Sequence, residues 1–135
     1  MTLSSNEIAI LIVDDNLINR NNMRQQLQRL MPNLLLDEAG NGLMAVELCQ
    51  QFIQRQQKNY NIIVMDFCMP IMDGETATNQ IRDLEQQAAL TAATRSFIIT
   101  WSNARCTAYR AADAVLHKPI IQKQLETLFA NYLDR

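Results

Sequence analysis

The feature that most constrains this chain is a short apolar run that ends abruptly at a pair of acids: residues 8–13 read IAILIV, followed at once by Asp14-Asp15. An unbroken aliphatic run with no polar alternation fits a strand covered on both faces, and it is too short for a helix. The pattern recurs. Leu34 to Ala39, Ile62 to Met65, Phe97 to Trp101 and Ala114 to Leu116 are further strand candidates. Between them lie stretches with helical spacing. From Asn16 to Met31 the apolar positions Met23, Leu27, Leu30 and Met31 share a face, and Pro32 closes the segment. Asn41-Gly42 turns the chain into a helix with paired positions Met44/Ala45, Leu48/Cys49 and Phe52/Ile53, and the polar stretch Gln54 to Asn61 reads as the loop that follows. Pro70 and Asp73-Gly74 mark a turn before a helix from about Glu75 to Glu85, with Gln86 to Arg95 as its frayed end and loop. After Pro119, the positions Ile121, Leu125, Leu128, Phe129 and Tyr132 fall on one face of a last helix. Strand and helix alternate throughout, and parallel strands joined by helical crossovers need connections of this length. The expected fold is α/β: a doubly wound, five-stranded parallel sheet with helices on both faces.

At 135 residues the chain fits one domain, expected to span residues 1–135. A core of this size needs neither disulfides nor a structural metal. Cys49, Cys68 and Cys106 show no CxxC spacing, which argues against a disulfide framework or a zinc cluster. With 12 Lys and Arg against 14 Asp and Glu and no basic run, nothing resembles a nucleic-acid footprint. No apolar run approaches the roughly 20 residues that cross a bilayer, so no membrane partner and a cytoplasmic location are expected.

In an open parallel sheet, binding groups gather beyond the carboxyl ends of the strands. Those ends are chemically loaded here: Asp14-Asp15 after the first strand, Asp66 after the third, Ser102 after the fourth and Lys118 after the fifth. Taken singly, each has a plain structural reading. The acid pair could cap a helix, Asp66 could be a turn residue, Ser102 a loop residue and Lys118 a solvated amine. Together they bring three carboxylates to one sheet edge, where mutual repulsion calls for a cation. Oxygen ligands and the lack of a thiolate or histidine cluster favour a hard octahedral ion, Mg²⁺ or Mn²⁺. A carboxylate facing such a metal, a lysine and a hydroxyl is equipped to accept a phosphoryl group as an aspartyl-phosphate.

These residues resemble a known family. Asp14-Asp15, Asp66 in IIVMDFCMPIMDG, Ser102 after FIITW and Lys118-Pro119 in VLHKP are similar to the receiver domain of bacterial two-component response regulators. DFCMPIMDG followed by ETATNQIR looks most like receivers attached to hybrid sensor histidine kinases. The resemblance implies a flavodoxin-like strand order 2-1-3-4-5 and a partner that is a histidine kinase or histidine phosphotransfer protein. It implies Asp66 as phosphoacceptor, and Asp14, Asp15, Asp66 and the backbone carbonyl of Cys68 as the Mg²⁺ site. Ser102 and Lys118 would bind the phosphoryl group and couple it to the fold. On this reading the chain is a phosphorylatable switch with slow self-dephosphorylation rather than an enzyme. The chain departs from the family pattern at the output side. Val115 stands where an aromatic switch residue is usual, and only 15 residues separate Ser102 from Lys118, which leaves room for a shortened fourth helix, Ala104 to Ala111. Asn103 replaces the usual small residue and is expected to modulate access to the phosphoryl group. These departures keep open an alternative, a receiver-like interaction module that signals without phosphorylation. A flavodoxin-like or phosphatase-like enzyme is disfavoured, because DDNLIN supplies anions where a cofactor phosphate would need donors.

Overall fold

The computed structural model describes residues 8–102 and 111–133. Five strands, β1 (Ile8–Val13), β2 (Leu34–Ala39), β3 (Ile62–Asp66), β4 (Phe97–Ser102) and β5 (Ala114–His117), alternate with helices α1 (Leu17–Leu30), α2 (Gly42–Gln56) and α3 (Gly74–Gln87), and α4 (Gln122–Leu133) follows β5. All strand pairs are parallel, in the order β2-β1-β3-β4-β5. Asn103 and the segment expected to form a short helix from 104 lie outside the described residues.

Strand alternation divides the core into two layers. Ala9, Leu11 and Val13 of β1 join Ile63 and Met65 of β3 beneath α2 and α3, which contribute Cys49, Phe52 and Ile81. Ile10 and Ile12 face the other way with Ile62 and Val64, under Met23 and Leu27 of α1 and Leu125 and Phe129 of α4. Both faces of β1 and β3 are covered, which is why these strands read as unbroken apolar runs rather than as alternating ones.

Several boundaries differ from the sequence reading by one to three residues. Helix α2 continues through residues 54–56 and stops where Gln57 adopts a left-handed conformation (φ 58°). Glutamine is a good helix former, so a polar composition alone did not mark a loop. Helix α3 runs to Gln87, and β3, β4 and β5 each include the polar residue at their end. Ile121, expected on the buried face of the last helix, is 52% exposed because it precedes the first helical turn; Ile120 packs against the core instead. The cap of α1 is Asn16, whose side chain accepts from the backbone N–H groups of Ile18 and Asn19, so the acid pair before it is released from capping.

Opposite the carboxyl edge, Arg82 of α3 ties three elements together. Its guanidinium donates to the carbonyls of Ala111 (2.9 Å) and Ser96 (2.8 Å) and to the carboxylates of Glu85 (2.7 Å) and Asp113 (2.8 Å). Glu85 is buried and also accepts from Asn59 Nδ2 and the Ser96 N–H. Arg82→Ala would strand that carboxylate, and we expect a loss of about 3–5 kcal/mol in urea unfolding.

Candidate functional site

The carboxyl edge assembles itself from the sheet register. Asp66 pairs with Trp101 and Ser102 with His117, so Asp66, Ser102 and Lys118 end successive strands, each one residue further along than the last, while β1 hands over to Asp14 and Asp15 beside them. Asp14, Asp15, Asp66, Cys68, Ser102 and Lys118, with Asn16 and Asn19, line a single cleft of about 370 Å³. Carboxylate oxygens of Asp14, Asp15 and Asp66 lie within 4.8 Å of one another. Asp14 is fully buried, Asp66 and Ser102 are 5% exposed and Asp15 faces solvent.

Among the described residues, Lys118 is the counter-charge in the cleft. Its Nζ donates to Asp14 Oδ2 at 2.7 Å and to Asp66 Oδ1 at 3.3 Å. Its N–H donates to the Ser102 carbonyl at 2.9 Å, and the Lys118–Pro119 peptide bond is cis. One ammonium does not neutralise three carboxylates. Burial first, and next the Asp14 carboxylate, push Asp66 up to about 6, with Lys118 acting in the opposite direction. An all-oxygen donor set of this spacing, with one solvent-facing member, fits a hard divalent cation.

Asp14 is held by groups that its own sequence neighbourhood supplies. Oδ1 accepts from the Asn16 N–H at 2.8 Å, Oδ2 from Asn19 Nδ2 at 3.3 Å, and the backbone carbonyl from Arg20 Nη1 at 2.7 Å. Glu38 of β2 aims Arg20 through its Nε at 2.9 Å and also pairs with Arg24. Asn19 and Arg20 were not singled out from sequence. Their one signal is that both follow an acid pair at positions on the first turn of α1.

Asp66 is framed by a close approach. A Cβ on Gly74, the first residue of α3, would sit 2.1 Å from the Asp66 carbonyl oxygen, and the Gly74 N–H donates to the Phe67 carbonyl at 3.0 Å. The sequence marked Asp73-Gly74 only as a turn. Asp73 proves to be the N-cap of α3, accepting from the Thr76 N–H. The remaining site expectations fall as follows. Cys68 is exposed at the cleft. Val115 is half-buried and lies opposite Thr100 in the β4–β5 register, two residues before the Ser102–His117 pair. His117, beside Lys118, is exposed.

A 2-1-3-4-5 parallel sheet with an acid cluster and a lysine at its carboxyl edge is the architecture of the phosphorelay signalling domains. The chain belongs to the response regulator receiver domain family, whose model matches residues 10–130. It is 31% identical over 125 residues to "Two-component response regulator ORR41" of Oryza sativa subsp. japonica, covering 93% of this chain and 94% of that protein. It is 34% identical over 138 residues to "Hybrid signal transduction histidine kinase G" of Dictyostelium discoideum, covering 96% of this chain but only 4% of that much longer protein. Among solved structures it is similar to the receiver domain of the histidine kinase CKI1 from Arabidopsis thaliana complexed with Mg²⁺ and BeF₃⁻, at a TM-score of 0.79 and 25% identity over 95% of this chain and 91% of that one. No helix among the described residues is long and apolar enough to cross a membrane.

Two outcomes follow from the geometry. Gly74→Ala should force the start of α3 away from β3, costing about 1–3 kcal/mol of stability in thermal or urea unfolding and weakening Mg²⁺ binding. A cation held by this cluster would compete with the proton on Asp66, because only the ionised carboxylate can serve as a ligand. Apparent Mg²⁺ affinity, followed by calorimetry, should therefore be level above pH 7 and fall as pH drops through about 6.

Proposed function

We propose that the chain accepts a phosphoryl group from a partner phosphohistidine onto Asp66, and that this changes its contacts with other proteins. The observation that carries the reading is Lys118 Nζ bridging Asp14 and Asp66 at 2.7 and 3.3 Å in a cleft of three carboxylates. Asp14 and Asp15 would hold Mg²⁺, directly or through water, with Asp66 and the backbone carbonyl of Cys68 completing the protein ligands; Mn²⁺ is acceptable to the same oxygens. When bound, the cation neutralises charge on the phosphoryl oxygens.

A carboxylate oxygen of Asp66 attacks phosphorus in line as the N–P bond breaks, and the electron pair leaves with the imidazole nitrogen of the donor, which is then protonated. Lys118 moves its charge from the free Asp66 carboxylate to the phosphoryl group, and Ser102, at the end of β4, supplies a hydroxyl to the same group. Slow hydrolysis of the acyl phosphate by water returns Asp66 and inorganic phosphate, so the domain is consumed and restored rather than turning over a substrate. Asn103 is assigned the control of water access, and Val115 the place of an absent aromatic switch.

A protein donor suits the rim of the cleft. Leu17 and Ile18 at the start of α1 are 58% and 68% exposed, and Ile71, in the loop after β3, is 78% exposed at a left-handed φ of 71°. Exposed apolar side chains bordering a polar cleft mark a protein-contact surface. The donor is accordingly assigned to a histidine kinase or a histidine phosphotransfer protein. We assign residues 1–135 to one such domain, acting in the cytoplasm.

Incubation with Mg²⁺ and a small-molecule phosphodonor should add one phosphoryl group by mass spectrometry, and none to Asp66→Ala. Equal labelling of that variant would refute the phosphoacceptor assignment. Absence of labelling in the wild type would favour an interaction module that signals without phosphorylation. Lys118→Ala should still bind Mg²⁺ yet lose the NMR shift changes that accompany phosphorylation outside the cleft.

A further inference from the structure

The chain's single tryptophan is buried directly below the lysine of the site. Lys118 Nζ lies 4.6 Å from the centroid of the Trp101 ring. That is inside the distance at which an ammonium is attracted to an aromatic face, and tryptophan is the most effective partner. The indole Nε1 makes a long contact, 3.5 Å, with the carbonyl of Val13, the residue just before Asp14. The Trp101 backbone is held on both sides by Asp66 of β3 and Leu116 of β5, and its carbonyl accepts from the Phe67 N–H at 3.2 Å. Trp101 thus touches, through backbone or ring, every segment that delivers a charged group to the cleft.

We propose that Trp101 is a positioning residue for Lys118: its ring forms the floor under the ammonium, holds it between Asp14 and Asp66, and links its movement to the layer packed under α1 and α4. The inference rests on the phosphoacceptor reading above and extends it. A lysine is a point charge on a flexible stem, and two carboxylates alone leave it free to tilt toward solvent-facing Asp15. A ring beneath it removes that freedom and adds an attraction to a side chain that is itself mostly withdrawn from water. Lys118 is only 11% exposed, in keeping with such confinement. The consequence bears on output. Val115 carries no ring, so among the described residues the aromatic over which the lysine sits is Trp101, a member of the same buried cluster as Met23 and Leu27 of α1 and Leu125 and Phe129 of α4.

The wild-type protein tests the contact without any substitution. An ammonium over an indole face shifts the neighbouring lysine methylene protons upfield, so in metal-free protein the Lys118 side chain should resonate upfield of the other lysines, and the displacement should shrink with Mg²⁺ and beryllofluoride. Trp101→Leu should abolish it and slow labelling by a small phosphodonor by roughly 2- to 30-fold. Trp101→Phe should fall between, with Mg²⁺ affinity unchanged in both. Unshifted Lys118 protons in the wild type, or a folded Trp101→Leu labelled at the wild-type rate, would overturn the proposal. Should Trp101→Leu not fold, the wild-type shifts and the Trp101→Phe rate still decide. A wild type that takes no phosphoryl group while showing the shifted Lys118 would refute the phosphoacceptor reading and leave the positioning role standing.

Discussion

Asp14, Asp15 and Asp66 crowd three carboxylates into one cleft that, among the described residues, contains a single lysine, and most of the surrounding structure serves to make that arrangement tolerable. Asp14 is fully buried, and its carboxylate oxygens are met by Lys118 Nζ, the Asn16 N–H and Asn19 Nδ2, which all donate to it. Asp66 receives less help, and burial with the Asp14 charge pushes it up to about 6. A carboxyl group whose value is raised in the folded state weakens folding when ionised, so above about pH 6 this group opposes stability, and the opposition fades as pH falls toward 4. A cation, or a phosphoryl group drawing in a cation, relieves the same repulsion. The site thus carries an excess of negative charge of the kind a divalent cation offsets.

The fold meets this requirement by delivering each charge on a rigid strand end. The parallel register steps Asp66, Ser102 and Lys118 one residue apart along adjacent strands, and both faces of the central strands are packed, so the backbone that carries these groups is held firmly. Second contacts tighten the frame. Arg20, aimed by Glu38, pins the Asp14 carbonyl; Gly74 lets α3 begin against the Asp66 carbonyl; Arg82 locks the far end of α3 to Ala111 and Asp113. Helix α3 therefore runs as one rod from the carboxylate cleft to the opposite edge of the sheet.

The parts of this arrangement that the sequence revealed are those written in local pattern. Apolar runs that end in Asp14, Asp66, Ser102 and Lys118 announce both the strands and the edge where they converge, and the strand order follows from the family resemblance those residues carry. What stayed hidden depends on distance in space. Nothing in the sequence near Gly74 shows that a Cβ would meet the Asp66 carbonyl, and nothing near Trp101 shows that Lys118, seventeen positions on, lies over its ring. Ile121 misled because apolar periodicity does not say where the first turn begins; Gln54 misled because a polar residue on a helix looks like a loop.

The central claim is that three carboxylates share too little positive charge, and the titration of Asp66 itself measures it. Carboxyl ¹³C NMR of the metal-free protein should show Asp66 titrating near pH 6, lower in Asp14→Asn and higher in Lys118→Met. A midpoint in the ordinary aspartate range for the wild type, unmoved by either substitution, would contradict the account.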